Sequence, residues 1–182
     1  MMKKQVIFLL LMIMGGKMLP AQLYSPVDKA SSIKVTIKNV GMAIDGTLTG
    51  LEGEIKFNPA DLKNAFFSVS VDANTINTDI DIRDSALRGE AYLNAKNFPK
   101  ISFLSKQITR VNKAGPYTVK GTLTIKGISK ETSLNFTAVP KNDGILFTGE
   151  MRVNRHDFRI GVGSLVLSDT MLVTLVVFAK KA

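Results

Sequence analysis

Cysteine is absent from the chain, and histidine occurs once, at His156. Without cysteine no disulfide can staple the fold, which must stand on its own core, and no thiol is available for the lipid anchor of a bacterial lipoprotein. One histidine and no cysteine supply a transition-metal site poorly. The lysines and arginines are scattered, with no run of five or six. That weakens a nucleic-acid reading, which needs a basic stripe interleaved with aromatics. No apolar run reaches the roughly 20 residues that a membrane-spanning helix requires.

The 182 residues suffice for one domain with a full core, since chains of this size bury roughly two-thirds of their unfolded surface. The N-terminus reads as a secretory signal. Lys3 and Lys4 form a charged start, Val6 to Met14 an uninterrupted apolar stretch, and Leu19-Pro20-Ala21 a passable cleavage site before Gln22. Residues 1–21 are thus expected to be a signal peptide, residues 22–182 one domain, and the protein periplasmic or secreted. Removing Lys3, Lys4 and Lys17 lowers the formal charge from +9 to +6.

Beyond that point the chain alternates with period two, the signature of strands with one wet face. Ile33, Val35 and Ile37 open the pattern. Gly46 to Phe57 continues it, with Leu51, Ile55 and Phe57 in one phase and Leu48 in the other; Gly50 and Gly53 mark a bulge or bend between them. Phe67, Val69 and Val71 follow, then Ile101 and Phe103, then Ile108. Val119 and Leu123, Leu134 and Phe136, and Phe147 and Met151 complete the series, with Asn142-Asp143-Gly144 as a hairpin signal. The last strand, from Thr170 to Lys180, is apolar on both faces, so it is expected to be covered on both sides or to lie at an interface, where it could pair two copies. About eight strands with short connections predict an antiparallel meander that can close on itself. At that strand number the interior is either filled or holds one small ligand. The inward set of Ile33, Val35, Ile37, Leu51, Ile55, Phe57, Phe67, Val69, Val71, Ile101, Phe103, Val119, Leu123, Leu134, Phe136, Phe147 and Met151 carries no charge, and the pattern leaves both interiors open.

Residues Arg83 to Phe103 break the alternation with an Asp/Arg-rich turn, a short helical pattern and a stop at Phe98-Pro99. This stretch resembles the YceI-like family of exported lipid- or polyisoprenoid-binding proteins. The likeness rests on Arg83, Asp84, Leu87, Tyr92, Phe98, Pro99, Ile101 and Phe103, on Gly121-Thr122-Leu123-Thr124-Ile125-Lys126-Gly127, and on Asn154-Arg155-His156-Asp157-Phe158. Tyr24, Asp28, Ser31, Ile33, Gly41, Gly46, Leu51, Gly53 and Ile55 follow the family's opening strands. The chain departs from the family at Tyr24, where tryptophan is frequent, and at Ala30 and Asn39, where histidine is frequent. The resemblance implies an all-β, lipocalin-like eight-stranded antiparallel β-barrel with a short helical insertion between strands 3 and 4. It also implies a long isoprenoid tail in the bore, no resident cofactor, and a carrier or sequestering role without enzymatic activity.

On that basis Arg83, Asp84, Leu87, Tyr92, Phe98, Arg155, Asp157 and Phe158 are expected around the mouth. Arg83 and Asp84 either touch a headgroup or organise the helix start, with Asp81 or Asp84 accepting first-turn amides and Arg83 pairing with a nearby carboxylate. Arg155 and Asp157 read as a charge pair shaping the mouth loop, with Phe158 against the bore. The His156-Asp157 neighbours allow a hydrolase reading, which lacks a nucleophile in evident reach. Expected partners are a lipid, transiently a membrane, and a second copy of the chain, with no nucleic acid. At about 0.8 kcal/mol per buried CH₂, a tail of about forty carbons would give on the order of 30 kcal/mol gross. That exceeds the observed ceiling of about 20 kcal/mol, so tail ordering must offset much of it, and such a bore could hold a tail without any headgroup contact.

Overall fold

A computed structural model describes residues 22–112 and 115–182; the expected signal peptide lies outside the described residues. Among the described residues the strands are β1 (Leu23–Pro26), β2 (Ser32–Asn39), β3 (Met42–Leu48), β4 (Glu52–Lys56), β5 (Phe66–Asp72), β6 (Lys100–Arg110), β7 (Tyr117–Ile125), β8 (Ile128–Lys141), β9 (Gly144–Asn154) and β10 (Thr170–Lys181), with one α-helix, α1 (Asp81–Arg88). All pairings are antiparallel, and the ring runs β1-β4-β5-β6-β7-β8-β9-β10 and back to β1.

Ten strand segments make an eight-stave barrel because the first two staves are each broken at the same level. β1 pairs with the end of β10 (Pro26 opposite Ala179), and β2 pairs with its first half (Ser32 opposite Val176). β3 pairs with β2, and β4 with β1 and β5. The breaks are stitched by side chains. Asp28 Oδ1 accepts from the Leu51 amide at 2.8 Å, and Ser31 Oγ accepts from the Phe178 amide at 3.1 Å. Gly53 has φ +127, and a Cβ there would lie 2.1 Å from the Ser68 carbonyl oxygen, so only glycine lets β4 approach β5. The break also shifts the phase. Leu48 and Leu51 both face inward and are buried, although Leu48 reads as out of phase in the sequence. A bulge between Ser105 and Gln107 likewise carries β6 from Phe103 to Ile108 with both turned inward.

The lower half of the barrel is filled. Phe57, 1% exposed, sits among Phe67, Tyr117, Phe136 and Phe147 with ring centroids 5.1 to 6.2 Å away. Its contacts with Tyr117 and Phe147 are edge-to-face, at 86° and 83°. Each such pair adds about 0.5–1.5 kcal/mol beyond area burial. Arg110 closes this end from outside, with its guanidinium 4.8 Å from the Tyr117 ring centroid and Nη2 donating to the Tyr117 hydroxyl at 2.7 Å. β10 turns Met171, Val173 and Ala179 into the core, while outward Leu172, Val176 and Phe178 are half-buried, so its second face is only partly covered.

The helical insertion starts with Asp81 and Asp84 in its first turn and Arg88 in its last, which suits the helix dipole. It ends at Gly89 rather than at Pro99: glycine is a poor helix former, and residues 89–99 continue as turns held by bonds such as Ala95 N–H to the Arg88 carbonyl at 2.9 Å.

Above the barrel, residues 155–169 form a loop around one buried guanidinium. Arg155 is 1% exposed. Nε donates to the Ser168 carbonyl, Nη1 to those of Ile160 and Gly161, and Nη2 to those of Ser164 and Leu167, at 2.6 to 3.3 Å. All five N–H groups of the side chain thus find carbonyl acceptors. Its carboxylate neighbour is Asp169 at 3.6 Å, not Asp157, which faces solvent. The expected Arg155–Asp157 pair is therefore replaced by a loop clasp. The reason is geometric: the 3-10 turn Arg155–Phe158 turns Arg155 and Phe158 inward and leaves Asp157 outside.

Replacing Arg155 leaves two buried and three half-buried carbonyl contacts without their donor, and leaving a buried acceptor unsatisfied typically costs about 1–3 kcal/mol. Arg155→Met is expected to lower urea-unfolding stability by that order. Arg155→Lys, with three donors against five, is expected to recover less than half. Wild-type stability in Arg155→Lys would contradict the clasp.

Candidate functional site

The upper half of the barrel is not filled. A cavity of about 430 Å³ lies between the aromatic floor and the mouth, within the roughly 300–1,000 Å³ typical of small-molecule sites. Val69, Phe103, Met151, Leu175 and Val177 pack against both halves of the core yet remain only partly buried, because each borders this space. From Phe147 at the floor to Asn154 at the top, β9 climbs about seven residues, roughly 23 Å along the strand.

Fifteen of the seventeen inward residues named from the sequence line the cavity; Phe57 and Val119 do not, because they lie within or below the floor. The filled and the hollow interior therefore coexist, one in each half. The lining also includes residues that alternation did not single out. Met171, Val173, Leu175 and Val177 of β10 belong to it, hidden in the sequence because that strand is apolar on both faces. Ile44 and Leu48 of β3 belong to it too, hidden by the phase shift at Gly50 and Gly53. Asn39, polar at the end of an apolar series, also lines it.

The lid is the stretch from Ala73 to Pro99. Arg83, Leu87 and Tyr92 line the cavity from it. Asp84, 3% exposed, accepts from the backbone N–H of Thr78 at 2.9 Å and from the Thr78 hydroxyl. Arg83 donates from Nε to that same hydroxyl at 2.7 Å and from Nη2 to the Thr78 carbonyl at 2.8 Å. Asp84 accepts from Thr78, ahead of the helix, rather than from first-turn amides, and Arg83 binds Thr78 rather than a carboxylate, because both side chains turn back onto the chain that enters the helix. The hydroxyl both donates and accepts, so one threonine serves both charges. Phe98 lies away from the cavity, against Gly127 of the β7–β8 turn. Phe158 is buried in the upper core without bordering the cavity.

Lid and mouth loop meet at Gly161, whose amide donates to the Ala91 carbonyl at 2.9 Å and where a Cβ would come 3.0 Å from the Tyr92 ring. The loop is tied on its other side to the β2–β3 hairpin. Ser168 N–H donates to the Lys38 carbonyl and Val40 N–H to the Val166 carbonyl, both at 2.9 Å.

Several large apolar side chains around this mouth face solvent: Val40 and Met42 on the hairpin, Ile80 and Ile82 on the lid, and Val162, Leu165 and Val166 on the loop, with Leu165 99% exposed. On the outer wall the Thr36 hydroxyl, then the Lys34 ammonium, hold the Asp45 carboxyl below its usual range.

The His156-Asp157 neighbours are not assembled into a dyad. His156 Nε2 lies 2.7 Å from Asp169 Oδ1 on the exposed side of the loop, and neither His156 nor Asp157 borders the cavity. Among the described residues no group of three His, Cys, Asp or Glu side chains could hold a metal ion, and no helix is long and apolar enough to cross a membrane.

Comparison with known proteins agrees with this architecture. A UPF0312 protein of Yersinia pestis (strain Pestoides F) is 32% identical over 104 residues, 56% of this chain and 53% of its own length; one from Yersinia enterocolitica is 29% identical over 103 residues, with the same coverage. The chain spans about half the length of the curated relatives it matches. Among solved structures, BcnA of Burkholderia cenocepacia superposes with a TM-score of 0.80 at 21% identity, covering 85% of this chain and 99% of that one. A polyisoprenoid-binding domain from Saccharophagus degradans, implicated in plant cell wall breakdown, gives 0.70 at 17% identity, covering 87% and 98%. The model of the YceI-like domain matches residues 24–179, from β1 to the end of the barrel in β10, and the chain belongs to the YceI-like family.

Proposed function

We propose that this protein is an exported binding protein that holds a long apolar, isoprenoid-type lipid in the upper half of its barrel, in a carrier or sequestering role. The observation that carries this reading is the cavity itself. A space lined chiefly by Val, Ile, Leu, Met and Phe side chains over a floor of packed rings suits an apolar chain, and burial of methylene groups at about 0.8 kcal/mol each supplies most of the affinity. Family membership points to a binding protein rather than an enzyme. The Saccharophagus degradans structure, a polyisoprenoid-binding domain of the same fold, favours an isoprenoid over other apolar chains. The signal-like N-terminus favours a periplasmic or secreted location. The floor limits the length of chain that can lie inside, so selectivity rests on Phe67, Phe136 and Phe147, which border the cavity, more than on Phe57 beneath them.

Organic extraction and mass spectrometry of the purified protein test the reading. The expected result is stoichiometric isoprenoid lipid from the parent. Val69→Trp and Met151→Trp, which put bulk into the half-buried middle of the bore, are expected to fold and to retain at least tenfold less. Parent protein free of lipid and unable to take it up contradicts the reading.

Loading requires the lipid to leave a bilayer, and the mouth is built for contact with one. Scattered exposed leucines are ordinary, but Val40, Met42, Val162, Leu165 and Val166 gather on two segments hydrogen-bonded to each other at the opening. The formal excess of positive charge favours an anionic surface. In flotation with phosphatidylglycerol-containing vesicles, the double variant Val162→Ser, Leu165→Ser is expected to reduce the bound fraction several-fold. An unchanged fraction would remove the mouth from membrane docking.

A further inference from the structure

The inward face of β2 carries Ile33, Val35, Ile37 and then Asn39, three apolar side chains followed by an amide at the mouth. The strand ends there in a two-residue turn, with φ +50 at Val40 and +79 at Gly41. The backbone of Asn39 is committed, opposite Met42 across the hairpin and bridged to Leu167 of the mouth loop. Its side-chain oxygen is not. Asn39 Oδ1 is buried and is the one side-chain polar atom among the described residues that is both buried and without a hydrogen-bond partner. A carbonyl oxygen removed from water with no donor is penalised, and native proteins keep few of them. The side chain borders the cavity in company with Ile37, Ile44 and Leu167, none of which carries a side-chain donor.

We propose that the ligand carries a hydrogen-bond donor at its polar end, most simply the hydroxyl of an isoprenoid alcohol, and that Asn39 Oδ1 accepts this bond at the mouth of the cavity. The inference rests on the proposed function and narrows it from an isoprenoid chain to one class of headgroup. A hydroxyl donates once and still accepts. Arg83 lines the same cavity, and its recorded bonds use Nε and Nη2 for Thr78, leaving Nη1 as a donor on the lid side. Ethers and quinones only accept and would leave Asn39 Oδ1 unpaired. A diphosphate only accepts and would likewise leave Asn39 Oδ1 unpaired.

The test compares farnesol, farnesyl methyl ether and farnesyl diphosphate as displacers of a fluorescent fatty probe from the delipidated protein. In the parent, farnesol is expected to bind about tenfold more tightly than the ether, the scale of one hydrogen bond in a buried site. In Asn39→Leu, and in Asn39→Val as a second variant that keeps strand preference, the gap is expected to vanish, chiefly because the ether binds better. Equal binding of alcohol and ether in the parent overturns the inference, as does a gap that survives both substitutions. Tightest binding of the diphosphate, lost in Arg83→Met, overturns it in favour of an anionic headgroup. Binding of all three with equal strength defeats only the headgroup assignment, whereas binding of none defeats the proposed function and the inference with it.

Discussion

The packing of rings around Phe57 is the constraint on which the rest of the molecule depends. An eight-stave barrel has an interior that side chains can just fill, and a hollow one gives up the contacts that would hold it together. Here the two demands are separated along the axis. Phe57, Phe67, Tyr117, Phe136 and Phe147 fill the lower half. That cluster carries the cohesion of a chain with no disulfide, and it frees the upper half from having to collapse. The same rings are the floor of the cavity, so stability and cavity depth are set by one group of side chains.

The mouth solves the opposite problem, how to close a hole with irregular chain without leaving backbone groups unpaired. Two arginines do this from opposite sides. Arg155 gathers five carbonyls of its own loop around one guanidinium. Arg83 and Asp84 share Thr78 and so pin the start of the lid helix. The two units join through Gly161 and Ala91, and the loop joins the barrel through Lys38 and Val40. The charges at this end are largely spent on backbone, which is why the chemistry around the cavity remains apolar.

The sequence made the barrel legible because one buried face imposes a period of two, and the hairpin residues and central insertion fixed where strands end. It also marked the breaks, through Gly50 and Gly53, but not their consequence, because a phase shift flips which residues face inward and only pairing shows it. Leu48 was misplaced for that reason. β10 concealed its lining face because both of its faces are apolar. The role of Arg155 was not legible: its partners are carbonyls, which every residue has, so no side-chain pattern announces them, and the adjacent Asp157 offered a false partner. Asn39 was noticed only as a position where the family often has histidine. That its oxygen is buried and unpaired is a property of three-dimensional placement.

The barrel is divided along its axis into a solid half and a hollow half. The most direct measurement is a high-resolution crystal structure of the protein purified under mild conditions. The account predicts continuous, elongated density in contact with Val69, Phe103 and Met151, ending at the rings of Phe67 and Phe136. A bore collapsed onto its own side chains, or one occupied only by ordered water, would contradict it.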